Sequence, residues 1–426
     1  MAGAGAGFGN RLCAAAAVLA ATLAACGEGA AGNTVNWYVF NEPGGAYAEA
    51  AANCSAGSGG RYRIAIRALP TDANVQREQL VRRLAAQDRS VDVIGMDVIW
   101  TGEFAEAGWI QPFPPARAEQ ISSGLLAGPL QTATYKDRLF AAPFTSNTQL
   151  LWYRTDRVAT PPRTWDEMID VATRLRNETG EPNYVEVQGN RYEGYTVWFN
   201  ALLESAGGSV VAPAAGDDAP GVSLEQAPTV RALEVIRRLA TSPVADPSLS
   251  TSTEDTTRLA FQSGRATFMV NYPFVYPSAQ EDAPEVFRNM GWARYPAVVE
   301  GQPSRPPLGG INLGVGAFSR HPDLAFEAVQ CLISEDNQVI AAVRGGLPPT
   351  LERAYDRPEM RDAYPFGDAI RESLRDAAPR PVAAAYNDIS LAIQRTLHPP
   401  RSVSPERTAR ELRSLVQRAI RGEALL

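Results

Sequence analysis

The sequence of 426 residues contains a single lysine, Lys136, and no run that is rich in lysine and arginine. Acidic residues outnumber basic residues by 47 to 40, and the formal net charge is −7. Binding to nucleic acid or to an anionic membrane surface needs a basic patch that neutralises phosphates. The composition therefore argues against nucleic acid as a partner and against electrostatic binding to lipid.

Histidine is almost as scarce as lysine. The two histidines, His321 and His398, lie far apart in the sequence, and a proline follows each of them. We therefore expect no histidine-based metal site, no histidine-based catalytic site and no cofactor. The chain also lacks a Gly-x-Ser-x-Gly segment, a zinc-protease helix motif and a phosphate-binding loop. A glycosidase needs only two carboxylates, so a secreted glycoside hydrolase that uses Asp97 and Glu254 stays open as an alternative.

No apolar run approaches the roughly 20 residues that a membrane-spanning helix needs. Residues 12–23 form a shorter run that follows Arg11 and leads into Leu23-Ala24-Ala25-Cys26. Small residues before a cysteine are typical of a lipoprotein, so we predict a signal peptide over residues 1–25 and acylation of Cys26. A flexible tether over residues 26–33 would follow. The expected location is the outer face of the cell membrane, and a plain secretory signal with an incidental Cys26 is the alternative.

Export decides how the four cysteines are interpreted. Removal of Cys13 and acylation of Cys26 leave Cys54 and Cys331, an even pair in an oxidising compartment. We predict a disulfide between them, and two buried free thiols are the alternative. The bridge would join an early helix to a late one, so the chain would have to return to its first lobe.

Apolar strands alternate with helices near the start of the chain. Strands are expected at 35–40, 62–66 and 91–97, and helices are expected at 46–54 and from a cap at Asn74. This β-α-β-α-β order predicts parallel strands in an open α/β sheet. Ligands gather at the carboxyl ends of such strands, and Glu42 and Asp97 follow two of these ends.

A second α/β half is expected to begin near residues 139–144, because the chain is too long for one core. A strand follows at 149–153, then a helix capped by Thr164 and a surface turn at 212–218. The predicted lobes are 34–142 plus 308–352 and 143–307 plus 353–426. Further helices are predicted at 195–206, 226–240, 253–263, 321–334, 359–376, 384–397 and 404–421.

Aromatic, amide and charged residues cluster at the ends of these segments. Aromatic rings cover the apolar C–H faces of sugars, while amides, carboxylates and the arginine fork bind vicinal hydroxyls. This combination favours a neutral sugar as ligand. Taken singly, Trp198 and Phe274 fit the core better than a site. The aromatic, amide and charged residues at the segment ends are Asn147, Gln149, Trp198, Asn200, Tyr272, Phe274 and Arg380.

Four segments together resemble the family 1 extracellular solute-binding proteins of ABC importers. They are DVIGMDVIWTGEFAEAGWI (92–110), PFTSNTQ (143–149), FQSGRATF (261–268) and GGLPP (345–349). A closer resemblance, to the trehalose-binding lipoproteins of actinobacterial ABC importers, extends to LLWYR (150–154), WFN (198–200), LGGINL (308–313) and APRP (378–381). The cysteine pair also fits that group.

The resemblance implies two lobes that close on a disaccharide, most favourably trehalose, with open, mostly parallel sheets flanked by helices. The partners would be the transmembrane subunits of a permease and, indirectly, its ATPase. We expect a monomer and no enzymatic activity. Maltose, an α-glucan oligosaccharide or another disaccharide is the alternative ligand, and a non-transport scaffold or signalling lipoprotein is the alternative role.

The resemblance also assigns residues to the site. The group usually has tryptophan where this chain has Tyr272, a smaller ring with a hydroxyl of its own. Glycine backbone can approach a ligand closely because no Cβ intervenes. The expected ligand-binding residues are Asp97, Asn147, Glu254, Tyr272, Arg380, Gly309 and Gly310, with Glu42, Gln149, Glu193 and Phe274 as further candidates.

Overall fold

The computed structural model describes residues 33–42, 44–212, 221–381 and 383–423. The expected signal peptide, Cys26, all of the expected tether except Asn33 and most of the expected surface turn lie outside these ranges. Within them, no helix combines the length and the apolar character that crossing a bilayer requires.

Strands form the centre of each half of the molecule. The strand at 266–271 is buried along its whole length, and the strand at 93–97 is buried up to Asp97, as expected for strands that helices cover on both faces. The strands are β1 (Asn33–Phe40), β2 (Tyr62–Leu69), β3 (Val93–Asp97), β4 (Ile110–Gln111), β5 (Thr134–Tyr135), β6 (Arg138–Leu139), β7 (Ala141–Asn147), β8 (Leu150–Arg154), β9 (Tyr184–Glu186), β10 (Ala266–Asn271), β11 (Met290–Arg294), β12 (Pro307–Gly316) and β13 (Ala378–Pro379).

The strands build a larger and a smaller sheet. The larger one has the order β13-β12-β3-β1-β2, with β4 and β7 also paired to β12, and the smaller one has the order β11-β8-β10-β9. β1 is parallel to β2 and β3, which confirms the predicted start of the fold. β12 is antiparallel to β3, β4 and β7, and β8 is antiparallel to β10 and β11. The sheets are therefore mixed rather than mostly parallel, because β12 returns from the second half against the direction of β3.

Every predicted helix is present, and one of them is divided in two. The helices at 100–106, 115–122, 127–133, 275–282, 284–287 and 335–345 were not predicted. The segment 359–376 forms two helices, because a helical conformation is disfavoured at Tyr364, the residue before Pro365. The helices are α1 (Ala46–Gly57), α2 (Ala73–Ala85), α3 (Trp100–Glu106), α4 (Pro115–Ser122), α5 (Ala127–Ala133), α6 (Trp165–Thr179), α7 (Glu193–Ser205), α8 (Gln226–Thr241), α9 (Glu254–Gln262), α10 (Val275–Asp282), α11 (Pro284–Phe287), α12 (Pro322–Leu332), α13 (Glu335–Gly345), α14 (Pro358–Ala363), α15 (Gly367–Asp376), α16 (Tyr386–Leu397) and α17 (Pro405–Ile420).

Two helix starts test the capping predictions. The hydroxyl of Thr164 accepts the backbone N–H of Glu167 at 3.1 Å, so Thr164 caps α6 as predicted. The predicted cap of α2 is wrong: Asp72, not Asn74, accepts the N–H of Val75 at 3.0 Å. Both residue types cap helices well, and the chain enters the helix two residues earlier than the apolar pattern indicates.

Three apolar cores hold the fold together. The first lies in the larger sheet with α1 and α12, and the second packs the smaller sheet against α7, α8, α16 and α17. The third joins Trp152 of β8 to Leu308 of β12 and to Phe366 before α15. Apolar packing therefore connects the two halves as well as filling each of them. The exact lobe boundaries stay a prediction.

Cys54 and Cys331 form the predicted disulfide, and the alternative of free thiols is wrong. The bond links α1 to α12, which lie 277 positions apart in sequence. The side-chain amide of Asn337 donates to the carbonyl of Cys331 at 3.0 Å and supports the bridge from α13. The bond therefore ties the returning chain to the first half.

Two buried carboxyl groups face each other at the edge of the smaller sheet. Glu186, at the end of β9, is 1% exposed, and Asp246 is buried beside it. Oε1 of Glu186 and Oδ2 of Asp246 accept no hydrogen bond from another group of the described residues. Burial, followed by the charge of Asp246 and a hydrogen bond to it, raises the pKa of Glu186 to about 9. One proton shared between the two side chains satisfies both oxygens.

This pair is expected to make the protein less stable as the pH rises. The folded protein keeps a proton that the unfolded chain releases above pH ~4.5, so the contribution is complete below that pH and is lost as the pH approaches about 9. Between pH 7 and pH 9 the loss is up to ~1.4 kcal/mol per pH unit. Urea unfolding should show this slope for the wild type and a flatter one for Glu186→Gln. A slope in Glu186→Gln equal to that of the exposed control Glu285→Gln would contradict the assignment.

Candidate functional site

Asp97, Glu193 and Arg380 form an ion-paired cluster where the two halves meet. Asp97 ends β3, Glu193 begins α7, and Arg380 directly follows β13. Nη2 of Arg380 donates to Oδ1 of Asp97 at 2.8 Å, and Nη1 donates to Oε1 of Glu193 at 2.6 Å. Arg380 is only 6% exposed, and charge-assisted hydrogen bonds are strong in such a low-dielectric environment. One guanidinium therefore joins a strand end in the first half to a helix start in the second.

Glu193 uses both of its carboxylate oxygens in this cluster. The hydroxyl of Tyr386 donates to Oε1, and the hydroxyl of Ser390 donates to Oε2 at 2.6 Å. Tyr386 and Ser390 lie one turn apart on α16, so their side chains share one helix face. Burial raises the pKa of Tyr386, and the charge of Glu193 raises it further, so the tyrosine stays a donor. The position of Glu193 is thus fixed from two sides.

Acidic residues begin three helices near this cluster. Glu193 and Glu254 are the first residues of α7 and α9, and Asp72 caps α2. The positive end of the helix dipole stabilises carboxylates at these positions. Burial raises the pKa of Glu254, and the charges of Glu193 and Asp72 raise it further. The three helix starts therefore direct negative charge into one region, with Asp72 in the first half and the two glutamates in the second.

Tyr272 lies among these charged groups. Burial is the largest cause of the raised pKa of Tyr272. The charges of Glu254, Asp97 and Glu193 raise it further, and the charge of Arg380 lowers it. Part of the side chain nevertheless stays accessible. A ring that is surrounded by protein and still accessible lines a cleft rather than a core.

Glu254 has a hydroxyl partner as well. The Tyr192 hydroxyl donates to Oε2 of Glu254 at 2.6 Å, and the side-chain amide of Asn271 donates to its backbone carbonyl at 2.8 Å. No other residue of the described part of the chain donates a hydrogen bond to Oε1 of Glu254. This oxygen is therefore available to a ligand.

The junction between β7 and β8 carries polar side chains that lack partners. Oδ1 of Asn147, Oγ1 of Thr148 and Oε1 of Gln149 are buried and accept no hydrogen bond within the described residues. The amide nitrogen of Gln149 donates to Oε1 of Gln188 at 2.9 Å. Buried polar atoms are nearly always hydrogen-bonded, so this junction is suited to water or a polar ligand.

Gly309 and Gly310 lie opposite this junction on β12, where Gly309 pairs with Asn147. Gly310 has φ +140°, and a Cβ on it would lie 2.2 Å from the carbonyl oxygen of Thr145. Strand packing alone therefore requires glycine at position 310. A Cβ on Gly309 would meet Asn147 at an ordinary 3.5 Å, so packing does not require glycine there.

Two sequence candidates lie in other surroundings. Oε2 of Glu42 accepts the backbone N–H of Ala46 at 2.7 Å, so Glu42 holds the start of α1. Phe274 precedes α10 and packs against Gly346, whose Cβ would lie 2.8 Å from the Phe274 Cα atom. Neither makes a hydrogen bond to the Arg380 cluster. Trp198 is buried in the second core, as its position in the sequence favoured.

Sequence reasoning did not identify Tyr192, Tyr386, Ser390 or Asp72. The i, i+4 spacing of Tyr386 and Ser390 marks a polar helix face, but nothing in the sequence connects that face to Glu193. The apolar pattern predicts the start of α2 two residues too late, so it does not indicate Asp72 as the capping residue. Within the described ranges no group of three or more histidine, cysteine or acidic side chains is arranged to bind a metal ion.

Residues 62–339 match the family of bacterial extracellular solute-binding proteins. The chain belongs to this family. A probable ABC transporter-binding protein of Deinococcus radiodurans is 26% identical over 344 residues, which are 78% of this chain and 80% of that relative. These matches confirm the solute-binding family that the four sequence segments indicated.

Solved structures share the fold of this solute-binding protein. The maltose-bound MalE3 of T. maritima has a TM-score of 0.81 and 26% identity, over 90% of this chain and 99% of that one. The GacH receptor of Streptomyces glaucescens, solved without ligand and with acarbose, has a TM-score of 0.79 and 22% identity, over 92% and 100%. The two-lobed α/β fold is thereby confirmed. The relatives named here are binding proteins, which supports a binding role over the glycoside hydrolase alternative.

Proposed function

We propose that this solute-binding protein binds a disaccharide, with trehalose favoured, between its two lobes and delivers it to the permease of an ABC importer. The Arg380 cluster carries this proposal, because it brings Asp97 and Glu193 together from the two halves. Nε of Arg380 and Oδ1 of Asn147 are buried without partners, a donor and an acceptor suited to sugar hydroxyls. The accessible ring of Tyr272 provides a face for sugar C–H groups.

Two features support the choice of ligand. The resemblance to trehalose-binding lipoproteins in the segments around Asn147, Gly309 and Arg380 favours trehalose. The likeness to MalE3, which was solved with maltose, favours maltose or an α-glucan as the second candidate. Tyr272 in place of the usual tryptophan covers less sugar surface, and its hydroxyl adds a polar group to the cleft.

A ligand that contacts both lobes stabilises the closed arrangement in proportion to its preference for that arrangement. A 100-fold preference corresponds to ~2.7 kcal/mol, which would move a closed-to-open ratio of about 1:10 to about 10:1. The permease would recognise this form, and partner subunits would hydrolyse ATP. Acylation of Cys26 would keep the receptor at the membrane. A scaffold or signalling lipoprotein would show no ligand-dependent closure in solution scattering.

Calorimetric titration against trehalose, maltose, maltotriose and sucrose tests the proposal. We expect trehalose to bind at least ~10-fold more tightly than the other sugars, a difference of ~1.4 kcal/mol. Saturating trehalose should raise the melting temperature, because a ligand at 100 times its Kd adds ~2.7 kcal/mol to the stability. Tightest binding of maltose or maltotriose would favour the second candidate. A folded protein that binds none of the four sugars would contradict the proposal.

A further inference from the structure

The proposed sugar cleft carries more negative than positive charge. Asp97 and Glu193 pair with Arg380, and the charges of Glu193 and of the exposed Asp72 act on Glu254, a fourth carboxyl group. The charge of Arg380 lowers the pKa of Tyr272, whereas the charges of Glu254, Asp97 and Glu193 raise it. The acidic side chains therefore outnumber the guanidinium that faces them.

Arg380 is not free to bind a phosphate. Phosphate and carboxylate ligands are bound most strongly by the two-pronged fork of an arginine, and both Nη atoms of Arg380 already donate to Asp97 and Glu193. Its buried Nε still offers an N–H, which suits one hydroxyl oxygen. The guanidinium thus acts as a donor to a neutral ligand rather than as a counter-ion for an anion.

Two carboxyl oxygens stay open toward the cleft. Oδ2 of Asp97 and Oε1 of Glu254 accept no hydrogen bond from the described residues, and both side chains are partly exposed. Such oxygens accept hydrogen bonds from hydroxyls and bind an ammonium group more strongly, because the charges attract.

We propose that the cleft selects sugars by charge, admitting neutral and amine-bearing sugars and excluding phosphorylated or carboxylated sugars of the same shape. This inference rests on the proposed function and specifies its ligand class. A sugar phosphate brings a charge of about −1.5 to −2 into a site that is already negative, and both Nη atoms of Arg380 are already occupied there. An ammonium group finds two available carboxyl oxygens instead.

Titration of four ligands tests the filter: trehalose, trehalose 6-phosphate, 6-amino-6-deoxytrehalose and 6-azido-6-deoxytrehalose. The azide separates the size of a substituent from its charge. We expect the phosphate to bind at least ~100-fold more weakly than the azide, which is ~2.7 kcal/mol, and the amine to bind at least as tightly as the azide. Added salt should reduce the difference in affinity between the phosphate and the azide, and also that between the amine and the azide. A phosphate within threefold of the azide, or an amine tenfold weaker than it, would overturn the filter.

Asp72→Asn removes one charge and preserves the helix cap, because asparagine caps as well as aspartate. We expect this variant to reduce about fivefold the ratio of the dissociation constants of trehalose 6-phosphate and 6-azido-6-deoxytrehalose. We expect no change of that ratio in the control Asp255→Asn, which alters an exposed acid that pairs with Arg258. Equal ratios in the two variants would contradict the role of Asp72. If no sugar binds at all, the proposed function fails; if trehalose binds and its phosphate matches the azide, only the filter fails.

Discussion

Replacing Arg380 with glutamine is expected to weaken disaccharide binding at least ~1000-fold and to lower the free energy of unfolding by about 3–5 kcal/mol. The stability loss arises because Glu193 is buried and would lose its cationic partner. The binding loss arises because Asp97 and Glu193 lose the group that holds them together across the two halves. Calorimetry and urea unfolding of the same preparation measure both effects.

A double variant separates the two effects. Adding Glu193→Gln to Arg380→Gln removes the uncompensated charge. The Tyr386 hydroxyl can still donate to the amide oxygen, and the Ser390 hydroxyl can accept from the amide nitrogen. We expect the double variant to recover most of the stability and none of the binding. The control Arg375→Gln changes an exposed arginine on α15 and should behave as the wild type. Wild-type affinity in Arg380→Gln would contradict the role of the cluster.

Removing the disulfide is expected to lower the free energy of unfolding by a large amount and to leave sugar affinity nearly unchanged. The bond between Cys54 and Cys331 closes a loop over 277 positions, and the chain-entropy treatment gives an upper bound of about 5–6 kcal/mol for such a loop. We expect the double alanine variant to lose at least ~2 kcal/mol. Its affinity for the sugar should stay within threefold below the melting temperature, because neither cysteine belongs to the Arg380 cluster.

Reduction of the wild type provides the matched control for this variant. Dithiothreitol should lower the melting temperature of the wild type toward that of the double variant and leave the double variant unchanged. A double variant that melts at the wild-type temperature would show that the bond contributes nothing to the fold.

The sequence was sufficient for most elements because their signals are local. The capping signal of Thr164 and the alternation of strands and helices both led to correct elements. The predicted helix at 359–376 is interrupted at Tyr364, because the residue before a proline disfavours the helical conformation. The direction of β12 depends on pairing with β3 and β7 more than 150 residues away, and no local pattern encodes such pairing.

The sequence indicated the residues of the Arg380 cluster, but not the hydrogen bonds that connect them. Asp97 was identified by its position at a strand end, and the structure places it against Arg380. The bonds from Tyr386 and Ser390 to Glu193 span 193 and 197 positions, so only the folded chain reveals them. Glu42 was identified by the same kind of position, but its carboxylate holds the start of α1 and makes no hydrogen bond to the Arg380 cluster.

A crystal structure of the protein with a bound disaccharide is the most direct test of the central claim. The account predicts a sugar between the lobes, with hydroxyl groups within ~3.2 Å of Arg380, Asp97 and Glu254 and one ring against Tyr272. A sugar that contacts one lobe only, at a surface away from Arg380, would contradict it.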